Sequence, residues 1–290
     1  MTMGGEGCGR FSGRSGARTP FYAKEIRIEE EISAHMETTL RVTLIANAGL
    51  LLQYQGCTLM LDGIYGGEGH PFSCLSPSVW QEMLRGEPPF EKIDYLLFSH
   101  AHPDHFSPGM VREFLEHRPV KGLFMPDGRT VEKSGLVEYL KETGTQCVLL
   151  SKETDHAAYR IEPDITVQAF STRHLDKKFQ NVHHVCYLIT FGDKKILFTA
   201  DVDYTQETFD AIRQIPLRAV FVNPLFFSVL RRGRFFRGTL NTKSICIYHV
   251  PFSGDDKMRM RPVLAHDLVE WPPDRSETFV LCDAFQHIDL

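Results

Sequence analysis

The sequence lacks three features, any one of which would have assigned it to a class. No apolar run approaches the roughly 20 residues that a membrane-crossing helix needs, so no membrane association is expected. There is no basic excess: 32 Lys and Arg stand against 37 Asp and Glu, a formal charge of −5, and no nucleic-acid partner is expected. No CxxC pair occurs among the seven cysteines, Cys8, Cys57, Cys74, Cys147, Cys186, Cys246 and Cys282. Odd in number and scattered, they argue against a disulfide framework and against a cysteine-built zinc site. Most lie in apolar runs, where a reduced thiol acts as a small core residue, which predicts a reducing, cytoplasmic setting. The first twenty residues, rich in Gly, Ser and Arg, carry no apolar stretch of the signal-peptide kind. Residues 1–25 therefore read as a flexible tail and residues 26–290 as one domain.

That domain is large enough to bury a substantial core, and its 42% hydrophobic and 24% charged residues are ordinary for a folded chain. Short strands are expected at Leu40–Ile45, Leu50–Tyr54 and Thr58–Leu61, divided by the turn signals Asn47-Ala48-Gly49 and Gln55-Gly56. A helix over Ser78–Arg85 and a strand over Ile93–Ser99 follow, then a helix over Met110–His117 announced by Ser107-Pro108. Beyond lie a strand at Gly122–Met125, a helix at Val131–Thr143 and a strand at Gln146–Leu150. Two strands flank Glu162-Pro163-Asp164, and two more, Val185–Phe191 and Lys195–Thr199, meet at Gly192-Asp193. A helix at Gln206–Gln214 and strands at Ala219–Val222, Ser244–His249 and Thr278–Cys282 complete the pattern. A meander followed by αβ alternation implies sheets covered by helices, a layered α+β architecture.

The strongest chemical signal is Ser99-His100-Ala101-His102-Pro103-Asp104-His105, at the mouth of an apolar strand. Imidazole and carboxylate suit zinc, iron and manganese. His100 and His102, two apart on extended backbone, can face one ion. Pro103 forces a bend, so Asp104 and His105 can turn towards a second. One loop cannot close two sites, and functional groups gather on loops at strand ends. Three further strands end suitably, at His174, at Asp201 and at His249.

HxHxDH after an apolar strand, a later His, a strand-closing Asp and a last strand-end His together resemble the metallo-β-lactamase superfamily, over about Leu40–Leu290. The resemblance implies an αββα sandwich and a two-metal site. By it, His100, His102 and His174 would hold the first metal and Asp104, His105 and His249 the second, with Asp201 bridging. Asp62, at the end of an early strand, would orient a ligand histidine; a plain strand-terminating Asp is the competing reading. Rivals stand beside the outlying ligands: His183 and His184 for His174, Asp203 for Asp201, His287 for His249. The family pattern is departed from at Ala200, where many relatives carry Gly, and at His174, which lacks the Gly-His context of thioester and lactam hydrolases.

Two divalent cations sharing a hydroxide lower its pKa enough to make a nucleophile. The expectation is therefore a dinuclear metallohydrolase, zinc-loaded by preference with manganese or iron as alternatives, cleaving an ester, lactone or phosphoester of a small anionic molecule. Asp104 is the candidate for proton transfer. The superfamily's di-iron oxidoreductases replace the second motif His with Glu, whereas position 102 is His; a mononuclear iron dioxygenase stays open, as does a non-catalytic binding member of the fold. The anionic substrate rests on the basic, aromatic segment Arg231–Arg237, which leads to the strand ending at His249 and is placed to border the pocket; a plain solvated loop is the competing reading.

Overall fold

The computed structural model describes residues 38–151, 155–205, 209–210, 212–232, 240–272 and 276–290. The expected tail, part of the expected helix Gln206–Gln214, and residues 233–237 of the basic segment lie outside them. No described helix is long and apolar enough to cross a membrane.

Three short strands open the fold: β1 (Arg41–Leu44), β2 (Leu50–Tyr54) and β3 (Cys57–Leu61). Gln55 and Gly56 take φ of 48° and 73°, the pair of positive values that a tight two-residue hairpin turn requires. Helix α1 (Pro77–Arg85) starts on Ser76, whose hydroxyl accepts from the Val79 N–H, and stops at Gly86 with φ 69°. Strand β4 (Tyr95–Leu97) runs into the histidine loop, and α2 (Pro108–His117) leaves it. Ser107 sits at the N-cap as expected, but its side chain makes no capping bond. Next come β5 (Gly122–Pro126), α3 (Arg129–Lys133), α4 (Leu136–Thr143) and β6 (Cys147–Leu150). The single helix expected over Val131–Thr143 is thus two, because Gly135 adopts φ 71° and breaks it.

The second half contains β7 (Ala158–Glu162), β8 (Ile165–Thr172), a 3₁₀ turn (Lys177–Phe179), β9 (His184–Phe191), β10 (Lys194–Phe198) and β11 (Leu217–Val222). Helix α5 (Pro224–Arg231), strand β12 (Thr242–Ile247), α6 (Met260–Val269), β13 (Glu277–Val280) and β14 (His287–Asp289) follow. The sequence reading missed α5, α6 and β14. Its overlooked signal for α5 was Asn223-Pro224: the Asn223 carboxamide oxygen accepts from the Phe226 N–H, with Pro at the first helical position.

Two seven-stranded sheets result, ordered β14-β1-β2-β3-β4-β5-β6 and β13-β12-β11-β10-β9-β8-β7. Apolar side chains such as Tyr54, Phe191, Phe198 and Phe221 fill the space between them. A second cluster, including Phe90, Phe114 and Leu140, lies under α1, α2 and α4; a third, including Phe226, Phe227 and Leu264, lies under α5 and α6. The molecule is a layered αββα sandwich, as expected.

In the first sheet β3 to β6 are mutually parallel, and in the second β10 to β13 are. Carboxyl ends of parallel strands are where α/β folds place ligands. The two sheets are tied together there. The Val185 N–H donates to the Ser99 carbonyl at 3.0 Å. The buried Tyr187 hydroxyl donates to the Phe98 carbonyl at 2.8 Å, one residue before that point. Removing the hydroxyl leaves a buried carbonyl unpaired. Tyr187→Phe is expected to lower the free energy of unfolding by about 1–3 kcal/mol, measured by urea denaturation. An unshifted midpoint would show that the tie carries no stability.

Candidate metal centre

Each group at the centre hangs from a strand end. Asp62 follows β3, Ser99 and His100 follow β4, His174 comes two residues after β8, Asp201 three after β10, and His249 two after β12. Asp62, Ala200 and His249 hold φ of 47°, 45° and 60°, unusual for residues with side chains. Strain of this kind collects at functional sites, where surrounding structure imposes it. It also supplies the physical reason for glycine at the position of Ala200 in many relatives, since only glycine adopts that φ without a Cβ penalty.

The Asp62 carboxylate is fully buried and accepts three hydrogen bonds. One oxygen takes the Ser99 N–H at 2.7 Å; the other takes the Ser99 hydroxyl at 2.6 Å and His105 Nδ1–H at 2.9 Å. With its proton committed to Asp62, the Ser99 oxygen accepts from His100 Nδ1–H at 2.9 Å. Both imidazoles are therefore held with Nδ1 protonated and Nε2 turned into the centre. The sequence reading left Asp62 undecided between orienting group and strand end; its contacts are those of an orienting group.

His100 Nε2 lies 3.0 Å from His102 Nδ1, and His105 Nε2 lies 3.0 Å from His249 Nε2. Asp201 reaches into both pairs: its oxygens stand 3.5 Å from His105 Nε2, His174 Nε2 and His249 Nε2 and 4.0 Å from His100 Nε2. Asp104 Oδ2 is 3.7 Å from both His105 Nε2 and His249 Nε2. Two groups of possible donors follow, His100, His102, His174 with Asp201, and Asp104, His105, His249 with Asp201. Within each, the donor atoms lie within 4.8 Å of one another. The seven residues singled out in the sequence are all brought together, in the two sets that the resemblance implied.

The donor chemistry fits divalent cations. Nε2 of His174 is buried and has no hydrogen-bond partner. Asn47 lies with its nitrogen 2.8 Å from His249 Nδ1 while its oxygen is buried without a partner. Turning that amide over satisfies the oxygen with Nδ1–H and leaves His249 Nε2 a lone pair for a metal. His174 differs, since its Nδ1 accepts from the Asp176 N–H at 3.0 Å. That contact must open before Nε2 presents a lone pair. Burial pushes the His100 imidazole well down and, with His174 and His105 adding repulsion, takes His102 to about 4, so both stay neutral as metal ligands must be. Burial would lower His105 too, but Asp104, Asp62 and Asp201 outweigh it and hold a proton there. Burial disfavours ionised Asp201, yet His249, His105 and His174 keep its carboxyl well below the usual range. Concentrated negative charge that retains a proton will exchange it for a cation.

The rivals fall away from the centre. His184 is buried, its Nε2 accepts the Asp201 N–H at 3.1 Å and its Nδ1–H meets Thr172 Oγ1 at 2.6 Å; it positions Asp201 and has no nitrogen left for a metal. His183 pairs with Asp127 at 2.6 Å and Ser171 at 3.1 Å. Asp203 pairs with Arg173 at 2.9 Å. His287 is exposed and paired with Thr43 at the sheet edge. Sequence reasoning missed Asn47 and Ser99 as orienting groups; Ser99 directly precedes the motif, which was the available signal. Arg231 and Arg232, the described part of the basic segment, line a separate depression beside α6 with Arg259 and His266, not the cavity over the centre.

An αββα sandwich with paired candidate metal-donor groups at its strand ends is the layout of the metallo-hydrolase class of folds. A sequence profile described as "Beta-lactamase superfamily domain" matches residues 75–225, just over half of the chain. The chain belongs to that superfamily, with the metallo-β-lactamase fold. No curated protein sequence matches it. Among solved structures it is similar to Igni18, a metallo hydrolase from the archaeon Ignicoccus hospitalis, at 12% identity and TM-score 0.55, over 87% of this chain and 99% of that one. It is similar to the metallo-β-lactamase fold protein YhfI from Bacillus subtilis at 16% identity and TM-score 0.54, over 87% and 99%. It also resembles CmlA, a diiron β-hydroxylase from Streptomyces venezuelae, at 18% identity and TM-score 0.55, over 87% of this chain and 54% of that one. At such identities the likeness carries the fold alone.

Replacing Asp62 by Asn removes the charge that His105 and Ser99 point at and turns an amide N–H₂ towards one of them. Metal affinity in Asp62→Asn is expected to fall by about 10–100-fold, read by competition against a chromogenic chelator. Unchanged affinity would remove Asp62 from the centre.

Proposed function

We propose that the protein is a dinuclear metal-dependent hydrolase acting on an ester, lactone or phosphoester bond of a small molecule, with zinc as the resident metal. The observation that carries this reading is the sharing of Asp201 between two four-residue donor groups, which suits a pair of adjacent cations. His100, His102 and His174 would hold one metal, Asp104, His105 and His249 the other, with Asp201 between them. When bound, such a pair lowers the pKa of water and polarises the oxygen of a carbonyl or phosphoryl group.

The protein's own side chains supply the rest. Asp62, Ser99 and Asn47 aim the His100, His105 and His249 imidazoles, and His184 fixes the Asp201 backbone, so these four donors need little rearrangement on binding, whereas His174 must first release the Asp176 N–H. Asp104 lies on the floor of a cavity of about 540 Å³ over the centre, where it can hold the proton released as water attacks and return it to the leaving oxygen. No serine, threonine or cysteine is among the described lining residues, in keeping with direct attack by water and no covalent enzyme intermediate. The neutral His102, with histidine at the position where di-iron oxidoreductases of this superfamily carry Glu, supports zinc-type hydrolysis. Because CmlA, a diiron hydroxylase, has the same fold, iron belongs in the metal analysis alongside zinc and manganese.

Elemental analysis of purified protein is expected to find close to two metal equivalents per chain, falling below one in Asp201→Ala. Hydrolysis across a panel of esters, lactones and phosphodiesters should drop about a thousandfold or more with it. Less than a tenth of an equivalent after loading with zinc, manganese or iron would overturn the reading.

A further inference from the structure

We propose that the substrate's body beyond the scissile bond is apolar and uncharged, so that the centre serves an ester or lactone carrying an alkyl or aryl group; this rests on the hydrolase reading above. In the step concerned, water adds OH to the acyl carbon, the acyl C–O bond breaks, and the proton passes to the departing oxygen.

The cavity walls supply the argument. Phe72 meets His249 edge-on with ring centroids 5.3 Å apart, and Phe179 meets His102 at 4.4 Å and His174 at 5.4 Å. An aromatic ring thus stands beside each donor group, and Leu175, Leu225, Met258 and Met260 continue the wall outward. The mouth is apolar as well. Phe179, Leu225 and Met258 are 41%, 43% and 47% exposed. Five large hydrophobic residues are at least 41% exposed among the described residues, and three of them, from three separate segments, gather at this one rim. Scattered apolar residues need no explanation, but a cluster around a cavity marks a binding surface.

Polar recognition of a charged tail is missing from the same walls. No lysine or arginine is among the described lining residues. His70 spends Nε2 on the Gly66 carbonyl at 2.7 Å and Nδ1 on the Phe72 N–H at 3.2 Å. Asn223 spends its oxygen on the Phe226 N–H and its nitrogen on the Ala200 carbonyl, both at 2.9 Å. The remaining charged side chain apart from the donor groups is Asp176, which would repel an anion. An acidic tail finds no counter-charge there, whereas methylenes and rings find a wall. The anionic substrate expected from the basic segment draws no support from the described part of that segment, which lines the other depression.

The test uses zinc-loaded full-length protein and n-alkyl hydroxamates, whose head chelates metal whether or not the protein hydrolyses anything. Isothermal titration from acetohydroxamate to octanohydroxamate is expected to show Kd falling about two- to fourfold per methylene. Succinate monohydroxamate, with a charged tail, should bind no better than acetohydroxamate. The double variant Leu225→Ser/Met258→Ser, at exposed positions away from the donor histidines, should flatten the gradient while metal content and acetohydroxamate affinity stay within twofold. Affinity independent of chain length, tighter binding of the charged tail, or no hydroxamate binding would overturn the proposal. So would sedimentation showing that the rim is covered by a second copy and freed by the double variant. An intact gradient with no hydrolysis of matching p-nitrophenyl esters would sink the hydrolase reading and leave an apolar-ligand site.

Discussion

The centre depends on one buried carboxylate. Asp62 sits fully buried in the interior, with the His105 ring as its one charged partner, a position that costs several kcal/mol unless its oxygens are fully hydrogen-bonded. It meets that cost by taking the Ser99 backbone, the Ser99 hydroxyl and the His105 ring together. Those bonds determine which nitrogen of His105 and of His100 faces the donor groups of the centre. They also pin the end of β4 against the end of β3, so the histidine loop leaves the sheet at one angle.

The donors carried by the second sheet have supports of their own, one of them, Asn47, from the β1–β2 loop of the first sheet. His184 holds the Asp201 N–H and Asn47 holds His249, while Tyr187 and Val185 stitch β9 to the residues just before the loop. The donors thus belong to both sheets, and the apolar layer between the sheets sets their separation. Left-handed backbone at Asp62, Ala200 and His249 is tolerated because these contacts over-determine it. Ala200 makes the point directly: a residue with a Cβ occupies a position suited to glycine, and the strand end is nevertheless held.

Charge and apolar surface are segregated around the centre. Two carboxylates converge with five buried or half-buried imidazoles at the floor, and the walls above are rings, prolines and thioethers whose few polar groups are already bonded. A floor of this kind concentrates attraction on whatever part of a ligand reaches the donors. The walls select the rest of the ligand by burial, which is non-directional and grows with apolar area.

The histidine loop, the hairpin at Gln55-Gly56, most strands and the α1 and α2 starts were legible in the sequence, because each is dictated by neighbours a few residues apart. The same holds for the pairing of His100 with His102 and the bend at Pro103. Gly135 was visible, yet its left-handed turn could not be told from a tolerated helical glycine, so one helix was expected where two form. His174 against His184, Asp201 against Asp203 and His249 against His287 could be ranked from strand ends but not decided. That choice depends on which strand ends share an edge and which nitrogen is consumed by a distant backbone donor. The sequence by itself determined that this chain gathers metal-ligating groups at strand ends. Only the tertiary structure decided which of them meet, and that an apolar wall, not Arg231 and Arg232, surrounds them, because both follow from strand order and packing across hundreds of residues.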